Sequence, residues 1–208
     1  MSTAFTVLKG TWSLFTIRHS RFISCAFQLS ASEELGGILQ SAQNSWPQAS
    51  HYVWAYILGS GQERMSDDGE PQGTAGAPTV TLIRKHLLVY TAIVTVRYFG
   101  GTKLGHGGLL RAYQQAASHA LSHAQLGRYH HVVKATVTMP YDSWGRAQNF
   151  LIKENIAFDP TFLHHVEFRC EVQEDNWEGF WSMFKASIAP KAQLVESELV
   201  TAIAPWNP

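Results

Sequence analysis

The sequence is short of charge. Asp, Glu, Lys and Arg make up only 15% of its 208 residues, and 16 basic residues are balanced by 16 acidic ones. A neutral chain is not one that coats nucleic acid by bulk electrostatics, which needs a strongly basic domain, so any such contact has to be a local basic patch. Cysteine is scarcer still. Cys25 and Cys170 stand far apart with no CxxC or zinc-like spacing, and they read as two buried thiols without a disulfide framework. The longest apolar stretch, Leu87 to Val96, is too short to span a bilayer and carries Thr91 and Thr95. The opening MSTAFTVLKG lacks the basic region and apolar run of a signal peptide. No membrane association is expected, and the expected compartment is the cytoplasm. Internal repeats and low-complexity segments are absent. So are the common catalytic signatures: no Gly-Lys-Ser/Thr, no GxGxxG, no GxSxG, and no base visible beside Cys25.

Glycine, by contrast, is concentrated. Residues 94–113 read VTVRYFGGTKLGHGGLLRAY and place Gly100, Gly101, Gly105, Gly107 and Gly108 between an apolar strand and an apolar helix. Glycine at that density means a sharp bend, or an approach closer than a Cβ allows. Ala92, Val94, Val96 and Tyr98 share one face of the strand and Ile93 and Thr95 the other, which predicts a strand covered on both faces. From Leu109 the apolar residues recur at helical spacing, so a helix is predicted to begin near Gly107 or Gly108. Its free N–H groups point back into the glycine loop, and a helix N-terminus of this kind suits an anion. Arg97, Lys103 and Arg111 flank it. These three cations and the five glycines are the candidate phosphate- or ligand-binding set; a plain tight turn is the other reading.

Just upstream, MSDDGEPQGTAGAP (residues 65–78) carries Asp67, Asp68, Glu70, Gly73, Thr74 and Gly76. The acids are close enough for two of them to share a Mg²⁺ or to do acid–base work, and they are equally suited to a solvated turn. No metal or cofactor is expected, a Mg²⁺ on Asp67, Asp68 and Glu70 being the one alternative. Carboxylates repel phosphate, so if both stretches serve one ligand, either a cation mediates or the acids meet a basic patch on a protein. His119 and His123 have a zinc-like spacing of four on a helix but no third ligand. His164 and His165 would point to opposite faces of an extended segment and cannot share a metal. His51, on an apolar strand, reads as a core histidine bonded to backbone, with the acidic loop as one partner. Trp177, Phe180, Trp181 and Phe184 form a stripe that reads as core.

Coarse patterning gives an α+β chain in two parts. Ile23 to Leu29 alternates as a strand. Ser30 and Glu33 form a capping-box pattern before a helix that stops at Pro47. His51 to Leu58 is an inner strand, Gly59 to Gly76 a long loop, and Pro78 opens a short helix through about His86. Residues 125–129 read as a linker. After it come a strand (His131 to Met139), a helix capped by Asp142, a hairpin (Ala157 to Leu163, Val166 to Val172), a helix with a capping box at Asp175 and Glu178, and a strand (Ala192 to Leu199). The expected domains are 1–127 and 128–208, the second with the order βαββαβ of a ferredoxin-like domain.

SDDGEPQGTAG (residues 66–76) and VRYFGGTKLGHGGLLRAY (residues 96–113) resemble the two signature motifs of the Impact/YigZ family. Ser20-Arg21-Phe22-Ile23 resembles its N-terminal element, and His51 with Ala55 its His-x-x-x-Ala strand. The four stand in the family's order. One departure is Met65, where an aromatic residue usually precedes Ser-Asp-Asp. The resemblance implies an N-terminal part with the fold of domain 2 of ribosomal protein S-five, shared with domain IV of elongation factor G, and a small C-terminal ferredoxin-like domain. It also implies a role around translation, with RNA, the ribosome or a translation-associated protein as partner, and more readily as a non-enzyme than as an enzyme. Eukaryotic relatives restrain an amino-acid-starvation kinase through an additional N-terminal domain; none is expected before Thr11, and the domain order looks bacterial. Two other functions stay open: a metal-dependent hydrolase or transferase acting on a phosphorylated or nucleotide substrate, and a protein-binding module using the acidic loop.

Overall fold

A computed structural model describes residues 4–206. The chain forms two compact units, one holding residues up to Tyr129 and again from Ala204, the other His130–Ile203. The chain end therefore returns to the first unit, where the Trp206 ring lies 4.6 Å from that of Phe5.

In the first unit β2 (Ser13–Ile17), β3 (Ser20–Gln28), β6 (Thr91–Tyr98), β4 (His51–Ile57) and β5 (Glu63–Ser66) form one antiparallel sheet in that order. Its central strand β6 is buried along Thr91–Arg97, as its sequence predicts. Helix α1 (Leu35–Ser45) covers one face through Ile38, Leu39 and Ala42, against Ile23, Val94 and Val96. Helices α2 (Gly76–Lys85) and α3 (His106–Ser122) cover the other, against Phe22, Ala26, Val53, Ala55 and Ile93. The side-chain period of two then sends Ile93, Thr95 and Arg97 toward α2 and α3. β1 (Phe5–Lys9) pairs antiparallel with Gln125–Arg128.

The second unit follows the order βαββαβ. β7 (Gln125–Met139), β8 (Phe158–Phe162), β9 (Val166–Gln173) and β10 (Gln193–Trp206) lie as β10, β7, β9, β8 across the sheet. Helices α4 (Tyr141–Lys153) and α5 (Glu174–Met183, continued by one π turn to Ile188) pack on the face bearing Ala135, Val137, Phe168 and Cys170. The aromatic stripe on α5 is core at Phe180 and Phe184, while Trp177 and Trp181 are partly buried against it.

Four sequence expectations need correction. Residues 125–129 are no linker: they open β7, with Gly127 paired to Thr6. The long loop contains β5, an edge strand whose exposed Glu63, Arg64 and Met65 give no apolar alternation. The residues at the N-cap positions of the described helices make no side-chain cap hydrogen bond. A 3₁₀ turn (Ser32–Glu34) precedes α1 and brings Glu34, not Glu33, to the Ser30 N–H at 3.1 Å, and Gln173 and Pro140 hold the cap positions before α5 and α4. Finally, β1 and β2 have no counterpart in the sequence reading. Cys25 and Cys170 are free and buried, as expected.

Candidate functional site

The two glycine-rich stretches lie at one end of the first sheet, because β6 ends where β4 begins: Arg97 pairs with His51. Arg97 is the centre of the site and the main correction to the sequence reading. It is buried, facing α3, so it is no free phosphate ligand. Its Nη1 donates to both carboxylate oxygens of Glu70, at 2.6 and 2.9 Å. The hydroxyl of Tyr113 on α3 donates to the same carboxylate at 2.6 Å. Burial and the Glu70 charge push the Tyr113 phenol well above its ordinary pKa, so it remains a donor. Phe22 closes the other side, its ring 5.3 Å from the guanidinium and edge-on to Tyr113. Phe99, half exposed, lies 5.6 Å from the guanidinium on its own ring face.

The remaining acids are also consumed by the protein. Asp67 accepts backbone N–H bonds from Gly73 (2.7 Å), Ala75 (3.0 Å) and Gly76 (2.8 Å), tying the loop to the first turn of α2. Asp68 accepts the Tyr52 N–H at 2.6 Å. His51 donates from Nδ1 to the Asp68 carbonyl at 2.7 Å and turns Nε2 toward Glu70, 3.7 Å away. Thr74 donates to the Pro71 carbonyl. Asp67, Asp68 and Glu70 therefore face three sets of donors and form no common oxygen cage. Among the described residues no group of three His, Cys, Asp or Glu side chains could hold a metal ion. His119 and His123 do not converge on a shared site either, since His123 Nδ1 is bonded to the His119 carbonyl.

The glycine loop itself is built by close approach. A Cβ on Gly100 would stand 2.1 Å from the His19 carbonyl carbon, so only glycine lets the loop touch the β2–β3 turn. There Ser20 Oγ accepts the Gly100 N–H at 3.1 Å and lies 3.5 Å from Arg97 Nη2. Gly101 and Gly105 take φ of 82° and 70°, which side-chain-bearing residues rarely adopt. α3 starts at His106, and its first N–H groups have no acceptor within the helix. Gly101, Lys103, Gly105, Gly107 and Arg111 are exposed, Gly108 half-buried. Among the described residues no hydrogen bond or ion pair engages Lys103 or Arg111, and the Arg111 guanidinium lies over Gly107, Nη1 being 3.7 Å from where its Cβ would stand.

Sequence reasoning missed four neighbours. Arg18 and His19, both exposed, form the turn that Gly100 touches, and Arg21 stacks over Tyr98 at 4.7 Å. Phe99 was in plain view as an aromatic directly before two glycines. The burial of Arg97 also had a signal, since the strand period places it with Ile93 and Thr95.

Residues 18–121, half of the chain, match the family described as the Impact N-terminal domain. Over 198 residues the chain is 32% identical to the IMPACT family member YvyE of Bacillus subtilis, covering 94% of this chain and 91% of that one. The chain belongs to the Impact family. Another Impact relative, described as lying in the pol 5′ region of Thermus thermophilus, is 35% identical over 147 residues, or 71% of this chain and 80% of its own length. A crystal structure described as that of a hypothetical protein superposes with a TM-score of 0.60 and 25% identity, covering 95% of this chain and 98% of that one. The Impact N-terminal match contains every residue of the network just described, from Arg18 to Tyr113. Among the described residues, no helix is long and apolar enough to cross a membrane.

Proposed function

We propose that this Impact protein acts in the cytoplasm around translation, as a non-catalytic protein that binds RNA, free or within the ribosome, through the glycine loop and the first turn of α3. One observation carries this reading: Lys103 and Arg111 are exposed beside that turn with no partner among the described residues, while Asp67 and Glu70 of the neighbouring loop are held by protein donors and Asp68 accepts the Tyr52 N–H. Phosphate oxygens meet two cations and the unpaired N–H groups of a helix start, in a chain whose net charge is zero. Arg18 extends the basic rim at the β2–β3 turn, and the half-exposed Phe99 offers a ring on which a base can stack. Membership of the Impact family supports the link to translation, and so does the finer fold reading we attach to it. In that reading the first unit has the fold of domain 2 of ribosomal protein S-five, and the second is ferredoxin-like, as the strand order β10, β7, β9, β8 suggests.

The test is binding to purified ribosomes and to ribosomal RNA fragments at several salt concentrations, for the wild type, Lys103→Glu, Arg111→Glu and the double variant. Each substitution should weaken binding and reduce the salt slope by about one. Charge reversal at Glu154, at the C-terminal cap of α4, is the control. Equal binding by the wild type and the double variant at low salt would refute the proposal.

A further inference from the structure

β10 is an edge strand. Among the described residues it pairs with β7 and with no other strand. An edge offers a row of unpaired N–H and C=O groups, which proteins usually blunt with charged side chains, above all lysine, with proline, a bulge or a short strand. Here the strand is 14 residues long, and its portion in the second unit, QLVESELVTAI, contains neither lysine nor proline, its two charges being Glu196 and Glu198.

Its side chains sort by parity. Thr136 donates to Glu196 at 3.0 Å, so Glu196, and with it Glu198, lies on the face of Lys134 and Thr136, away from the helices. Val195, Leu199 and Ile203 fall on the face that elsewhere carries Ala135, Val137 and Phe168, yet they are 57%, 56% and 37% exposed. Three apolar side chains at intervals of four thus line the open rim of a helix-covered face.

We propose that this edge pairs with the same edge of a second copy, the two β10 strands running antiparallel about a twofold axis at Leu199. The register follows from charge and size. With the axis at Leu199, Val195 meets Ile203 of the second copy, Ser197 meets Thr201, Leu199 meets itself, and both glutamates meet Val200 and Ala202. An axis at Ser197 would set Glu196 against Glu198 twice, and like charges directly opposite one another are destabilising. An axis at Thr201 would bring Pro205, which has no N–H, into the ladder. A slip by one residue would set the apolar rim of one copy against the charged face of the other. The contact is self-complementary, as a twofold interface requires, and it joins the two sheets into one.

Sedimentation equilibrium of the full chain, from micromolar to near-millimolar concentration, should show a monomer–dimer equilibrium. Leu199→Lys sets two ammonium groups against each other at the axis and should weaken the dimer at least about tenfold while leaving the melting temperature unchanged at dilutions where the wild type is monomeric. Under mild oxidation Leu199→Cys should give a disulfide-linked dimer by itself. Val195→Cys should not, unless it is mixed with Ile203→Cys. A monomer throughout the range, a dimer indifferent to Leu199→Lys, or cross-linking that ignores this register would overturn the proposal. So would a chain that stays monomeric alone but captures an extended peptide along β10.

Discussion

Replacing Glu70 by alanine removes the anion that neutralises Arg97, a residue only 5% exposed. A guanidinium left without its anion keeps its charge, which must stay buried or be rehydrated by opening the loop. Breaking one side of a buried pair costs about 3–5 kcal/mol, and the Tyr113 hydroxyl, which donates to the same carboxylate, adds about 1–3 kcal/mol if it finds no other acceptor. Against a typical domain stability of about 5–15 kcal/mol, the first unit should come close to unfolding. Glu70→Gln keeps the shape and one accepting oxygen but not the charge, so it should fall between the alanine variant and the wild type. Glu70→Leu combined with Arg97→Met removes both charges and should recover much of the loss, giving a coupling energy of several kcal/mol. Because a chain of two compact units need not unfold in one step, the readout should be local: urea dependence of amide exchange in β6 and α3. An alanine variant within about 1 kcal/mol of the wild type, or a double variant equal to the sum of its singles, would refute this account of the pair.

Asp67→Asn should destabilise the first unit by about 1–3 kcal/mol to the same extent with and without Mg²⁺, because an amide cannot accept all three N–H bonds from Gly73, Ala75 and Gly76. Mg²⁺-dependent stabilisation of the wild type that vanishes in this variant would contradict that role. Burial pushes the Cys25 thiol up to about 11 and, aided by the Glu171 charge, that of Cys170 to about 12. The fold favours the protonated thiols, so their contribution is complete below the ordinary value of 9.0 and fades as pH rises toward these folded values. Alkylation at pH 8 should accordingly await unfolding, and rapid labelling of either thiol in the native protein would contradict its placement.

The strands and helices with one buried face could be read from their periods. β6 announced its burial on both sides, and the Val166, Phe168, Cys170, Val172 alternation gave the inner face of β9. What escaped was structure fixed by distant partners. β1 and the opening of β7 support each other across more than a hundred residues, and Gly127 looks like a break until Thr6 is seen beside it. β5 buries neither face, so no pattern marks it. At the site, the composition of both glycine-rich stretches singled out these loops but placed Arg97 among the phosphate ligands and left the acids open between a cation and a solvated turn. Their actual partners are one another, and a pairing between positions 70 and 97 has no local signature beyond the parity that turns Arg97 inward.

The Glu70 carboxylate also bears on time. Its attraction for Arg97 offsets the loss of water only once the walls around it exist, which means after the sheet has formed and α3 has brought Phe22 and Tyr113 together. Such a contact is then expected to form after the folding transition state, so that its energy resists unfolding rather than driving folding. In a chevron plot of Glu70→Gln the unfolding arm should rise while the folding arm stays in place. The residues that mark this family in sequence then govern how long the native domain lasts once it has formed, and have little influence on how fast it is reached.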